Sequence, residues 1–240
     1  MHFGREQLCV DGRPVVPIVD GAVAAEHVDH HLIVPLYDAL AVTIARAKAE
    51  RPTIYSGILR RGVLPQELQP LTVEAPPDLS FGRLIDILYT AGRAGFTQYY
   101  LGVQGAEGRG ALVVSPPMFT GTTEPPPDVK LFILDDGMRV GVGAEIYEPG
   151  GIGLANPTLP RHQPSRWDLA ALTKAIEELA KAHPEIHDVT ISAENDIPLG
   201  VLVAVIDVAA GDDCPAKPRD YDDAIARCRL PFVTIEAGAG

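Results

Sequence analysis

The sequence repeats itself. Leu71–Gly82 (LTVEAPPDLSFG) lies on Val189–Gly200 (VTISAENDIPLG) at a constant offset of 118 residues, with Thr72/Thr190, Ala75/Ala193, Asp78/Asp196 and Gly82/Gly200 identical. The match continues through Leu84/Leu202, Ile87/Val205, Leu88/Ile206 and Ala91/Ala209. Such self-similarity constrains the fold strongly, because each copy must build the same unit. In both copies a short alternating run predicts a strand. A polar turn carrying an Asp follows, and apolar residues at i, i+3, i+4 and i+7 then predict a helix. Pro198 is expected in the first helical turn, where its missing N–H costs nothing. Ser80 holds the matching place and is expected to act as an N-cap.

Two upstream pairs extend the repeat. Leu36–Pro52 aligns with Asp168–Pro184 at an offset of 132, which puts Leu40/Leu172, Ile44/Ile176 and Ala47/Leu179 on one helical face. Each segment ends in a charged turn and a Pro. Leu8–Gly12 resembles Ile133–Gly137 at an offset of 125. An apolar run ending in Asp-Gly predicts a strand entering a hairpin, with Arg13–Val16 and Met138–Gly141 as the return strands. The order strand-strand-helix-strand-helix-strand is thus expected in both halves. Gln98–Val103 and Phe232–Glu236 are the expected final strands, and Ala111–Val114 an added edge strand. The boundary is placed in a Pro/Thr-rich linker, 115–127, which separates a first copy at 1–114 from a second at 128–240. The second copy carries an inserted loop at 211–230.

The stretches LTVEAPPDLSFGRLIDILYTAGRAGFTQYYLGV (Leu71–Val103) and VTISAENDIPLGVLVAVIDVAAG (Val189–Gly211) combine a strand, an Asp-bearing turn, a Gly in the next helix and an Ala-Gly before the last strand. In this they resemble the periplasmic domain of the ExbD/TolR family of biopolymer-transport proteins. Val34–Leu40 is similar to the start of that family's first helix. The resemblance implies an α+β fold made of two similar small domains, each with two helices packed on one face of a small mixed sheet. It also implies a non-enzymatic cell-envelope module, periplasmic or envelope-associated, that binds protein partners or peptidoglycan. The family's domains dimerise, so a homodimer or an intramolecular pseudo-dimer is expected. The chain departs from the family in lacking the transmembrane helix and its membrane-embedded Asp. It also carries two copies, and the second is interrupted by residues 211–230. No residue here can inherit the proton-handling role.

Charge and apolar content narrow the partners. Hydrophobic residues make up 46%, enough for a packed core. The formal net charge is −12, with 10 basic and 12 acidic groups in residues 1–120 against 10 and 20 in residues 121–240. Phosphates are repelled by such a chain, so nucleic acid and anionic membrane surfaces are excluded as expected partners. No apolar run reaches the roughly 18–20 residues that a bilayer crossing needs. The first residues lack the basic-then-apolar pattern of a signal peptide.

The search for chemistry finds little. Cys214 and Cys228 lie 14 residues apart. They would close a loop worth about 3 kcal/mol as a disulfide, or stand as two thiols in a reducing compartment. His27, His30 and His31, in EHVDHH, are weak candidates for a metal, since neighbouring residues seldom converge on one ion without supporting partners. The glycine pairs around Gly141 and Gly150 fit neither a dinucleotide nor a Walker pattern. There is no G-x-S-x-G elbow, and Asp135-Asp136 reads as a turn. The expectation is no catalytic residue and no cofactor. The competing readings are a metal-dependent cytosolic enzyme using the His27/His30/His31 region, and an adaptor whose acidic second half binds a basic partner.

Overall fold

The structure is a computed structural model. It describes residues 1–4, 6–19, 21–50, 71–96, 99–103, 112–115, 127–146, 157–161, 167–215 and 221–236. In the first half the strands are β1 (His2–Phe3), β2 (Gln7–Val10), β3 (Arg13–Val19), β4 (Ala22–Val23), β5 (Val28–Asp29), β6 (Leu32–Ile33), β7 (Leu71–Ala75), β8 (Tyr99–Val103) and β9 (Leu112–Ser115). The second half holds β10 (Val129–Leu134), β11 (Gly137–Val142), β12 (Leu159–Pro160), β13 (Asp188–Ala193) and β14 (Phe232–Ile235). The α-helices are α1 (Val34–Glu50), α2 (Phe81–Ala94), α3 (Leu169–Ala182), α4 (Leu199–Ala210) and α5 (Tyr221–Arg227). The protein is a mixed α+β fold, and the expected element order is present in each half with short strands and turns of 3₁₀ helix added; in the second half the insertion expected as a loop at 211–230 carries a further helix, α5.

The register of the repeat is visible in what is buried. Leu84, Ile87, Leu88 and Ala91 of α2 are buried, and so are their counterparts Leu202, Val205, Ile206 and Ala209 of α4. Leu36, Leu40 and Ile44 of α1 and Leu172 and Ile176 of α3 form the second buried helix face of each half. Asp168 caps α3, its carboxylate accepting from the Ala171 N–H at 2.9 Å. β7 alternates cleanly, with Leu71, Val73 and Ala75 inward and Thr72 and Glu74 outward. Residues from both halves join in one hydrophobic cluster. Tyr99 is fully buried within it and donates its hydroxyl to the Phe96 carbonyl at 2.9 Å. Burial pushes its phenol well above the usual range.

The sheet departs from expectation in two places. Its order is β12-β11-β10-β13-β14-β9-β8-β7-β1-β2-β3-β4. β9, expected at an edge, therefore lies inside, antiparallel to β8 and parallel to β14. The last strand of each copy would otherwise leave an unpaired edge, and one short segment fills both. The Asp-Gly hairpins also sit differently. β10 lies directly beside β13 and parallel to it. β2 is separated from β7 by β1, which is parallel to β7 while β2 is antiparallel to β1. The first hairpin is thus displaced one strand outward with its direction reversed, because His2–Phe3 occupies the slot that β10 fills in the second half. The Asp11-Gly12 turn itself forms as expected, with φ of 50° and 74°.

Candidate functional site

The repeated turns meet each other. Phe81 N–H donates to the Ile197 carbonyl and Leu199 N–H to the Leu79 carbonyl, each at 2.7 Å. Gly82 N–H donates to the Asn195 carbonyl at 2.9 Å, and Gly200 N–H to the Pro77 carbonyl at 2.8 Å. Each bond maps onto its partner through the 118-residue offset. Ser80 and Pro198 form an antiparallel bridge between them. The first N–H groups of a helix lack intrahelical partners, and here each copy supplies carbonyls to the other copy's helix. Ser80 and Pro198 both occupy the N-cap position, and neither side chain makes a capping bond. Pro198 thus stands one residue before the first helical turn in which the sequence places it.

This junction gives the two signature glycines a physical role. A Cβ on Gly82 would lie 3.1 Å from Asn195 Oδ1 and 3.2 Å from Asn195 Cβ. On Gly200 it would lie 3.3 Å from both the Cβ and the carbonyl oxygen of Pro77. Each glycine lets the opposite turn approach its helix closely. Asp78 and Asp196 are exposed on the same turns.

His30 and His31 meet different carboxylates. His27 ends the short 3₁₀ helix Ala25–His27. His30 and His31 are the two central residues of the β5–β6 turn, with φ of 45° and 69°. His30 Nδ1 lies 2.6 Å from Asp29 Oδ1. His31 Nδ1 lies 2.7 Å from Asp86 Oδ1, a buried carboxylate on α2 that Arg83 also approaches at 3.4 Å. Among the described residues, the one group of three or more His, Cys, Asp or Glu ligand atoms within 4.8 Å of one another is Asp135, Glu194 and Asp196. These carboxylates suit a hard divalent cation. Arg161 approaches Asp135 at 3.4 Å, and Glu194 accepts the Asp135 N–H at 2.7 Å. Pro76 stands where Glu194 stands in the repeat, so the first copy has no equivalent cluster.

Cys214 and Cys228 are bonded to each other, with a Cα–Cα distance of 4.4 Å. The bridge closes the insertion over the end of α4. Arg229 N–H donates to the Ala210 carbonyl at 2.8 Å and Leu230 N–H to the Ala209 carbonyl at 3.1 Å. The Arg229 guanidinium reaches the Val208 carbonyl at 3.0 Å and Glu177 of α3 at 2.9 Å.

A groove of about 590 Å³ runs between the β2–β3 hairpin and α1. Val10, Pro14, Val15, Pro35, Ala39 and Val42 give it an apolar floor, and the Asp11–Arg46 ion pair, 3.6 Å, belongs to its wall. Val42 is 68% exposed and Val34, at the start of α1, 41%. Among the described residues β4 pairs only with Ile18 and Val19, and Pro14 and Pro17 remove donors from the rest of β3. That edge is blunted against strand addition, so the groove offers side-chain contacts rather than a backbone ladder. Sequence reading missed this groove, because it is made by a hairpin and a helix that meet only in the fold. The exposed Val42, off the buried stripe of α1, was its one local trace. No protein-family model matches the chain, and no curated protein matches it significantly.

Proposed function

We propose that this protein is a non-enzymatic binding module of the cell envelope, related to the ExbD/TolR periplasmic domains, with the dimer of that family built into a single chain. The reciprocal bonding of the two repeated turns carries this reading. It is the contact expected when two like domains pair across a two-fold axis, here reproduced at a fixed offset within one polypeptide. The strand-strand-helix-strand-helix-strand order in each half supports it. The Cys214–Cys228 pair fits an oxidising compartment. No helix among the described residues is long and apolar enough to cross a membrane. The role proposed is one of binding on the envelope side. The groove beside α1 is the surface for a protein partner, with Val42 at its centre of exposed apolar area.

A photoreactive amino acid at position 42 tests this in the host's envelope fraction. The expected result is a defined crosslinked protein, absent when the probe sits at Lys174 on the polar face of α3 and weakened at least about tenfold by Pro14→Asp, an exposed residue of the groove floor. Pelleting of the chain with purified sacculi instead would assign the module to peptidoglycan. Recovery from acid-quenched cells with Cys214 and Cys228 both as free thiols would contradict the envelope location.

A further inference from the structure

On the sheet face turned away from the core, three reactive side chain types fall in one row. β1 lies between β2 and β7, and its His2 stands directly opposite Cys9 on one side and Glu74 on the other. Directly opposed residues on neighbouring strands hold their Cβ atoms roughly 4.5–5.5 Å apart. Phe3, Leu8, Val10, Val73 and Ala75, which flank the row, all point into the hydrophobic cluster. His2 Nδ1 lies 3.6 Å from Glu74 Oε2. Cys9 is the chain's free cysteine and is 8% exposed. A cavity of about 290 Å³ opens onto it, walled by His2, Gly4, Glu6 and Gln7. It is a shallow depression open to solvent, just below the roughly 300–1,000 Å³ of small-molecule sites, so only a small ligand fits it.

The strand register thus puts the imidazole-bearing residue between a thiol and a carboxylate, with the ring 3.6 Å from Glu74 and a rotation of the His2 side chain needed to bring it onto Cys9. This is the order that activates a sulfur nucleophile: the carboxylate fixes the ring and the ring takes the thiol proton. We infer that Cys9 is a reactive-thiol site that takes a small aliphatic disulfide by exchange, with His2 as the proton acceptor and Glu74 as the residue that positions it. In the step, His2 removes the Cys9 proton and the thiolate attacks one sulfur of the bound disulfide. The Cys9–sulfur bond forms as the disulfide bond breaks. The second half leaves as a thiolate and takes the proton back from His2. Cys9 is oxidised and the departing half reduced, one equivalent per chain without turnover. The Cys214–Cys228 bridge leaves Cys9 as the remaining thiol, so the site does not depend on the binding role proposed above.

The test uses the full chain with cystamine and with uncharged iodoacetamide, and the modified cysteine is located by peptide mass mapping. One cysteamine on Cys9 is expected in the native protein. His2→Ala should slow both reactions about tenfold or more at pH 7. The pH profile of alkylation should lose its His2-dependent limb in His2→Ala, while Glu74→Gln should slow the reaction and Glu74→Asp restore it. Equal rates in the native chain and His2→Ala would overturn the proposal. So would modification of Cys9 only at the rate of global unfolding, measured by the same reaction at rising urea.

Discussion

Gly200→Val is expected to lower the unfolding free energy by about 2–3 kcal/mol, and Gly82→Val by a similar amount. Neither position has a backbone angle that requires glycine; the demand is for space. A single Cβ at Gly200 already meets the Pro77 backbone at 3.3 Å, and one at Gly82 meets Asn195 at 3.1 Å. Two further methyls must push the opposite turn away, which also breaks backbone bonds that satisfy first-turn N–H groups. Alanine divides the two contributions. It gains up to about 1 kcal/mol of helix propensity over glycine, so its effect should be much smaller than that of valine. Because both substitutions open the same junction, the double variant should lose clearly less than the sum of the singles. Urea denaturation of the four chains measures this. Full additivity would mean that the two sites do not share a contact.

Removing the disulfide should cost a comparable amount. Cys214→Ala with Cys228→Ala frees a loop whose ends are 14 residues apart, a loss of about 3 kcal/mol from the unfolded-state entropy of a loop that size. For a chain this long, that corresponds to a melting temperature lower by roughly 6–12 °C. The dependence on urea should steepen as well, since the uncrosslinked chain exposes more surface when unfolded. An unchanged midpoint would show that the bridge constrains the unfolded chain far less than a loop of this size should.

How much was legible follows from how local each signal is. The pattern Leu84, Ile87, Leu88, Ala91 and its counterpart in α4 can be read from spacing alone, because a helix buries residues that its own period brings together. The same holds for Leu40 and Ile44 against Leu172 and Ile176. The pairing of Cys214 with Cys228 was one of two readings that their spacing left open. Strand neighbours were another matter. Nothing in Leu112–Ser115 says that it will lie between β8 and β14, and two residues, His2–Phe3, are too short for any periodic signal. Sheet pairing is set by contacts far apart in sequence. For that reason the displaced first hairpin, the groove beside α1 and the row Cys9–His2–Glu74 all emerge only from the assembled sheet. The N-cap position of Pro198 has a similar origin, since the carbonyls that complete α4 come from residues more than a hundred positions upstream.

The claim on which the rest depends is that the two copies dock through their repeated turns. Native-state hydrogen exchange at the amides of Phe81, Gly82, Leu199 and Gly200 tests it most directly. First-turn amides without partners exchange readily. Here all four should be protected to the level of interior amides in α2 and α4, and Gly82→Val should lower the protection of all four together. Exchange of these amides at the rate of open helix ends, with the interiors of α2 and α4 still protected, would contradict it.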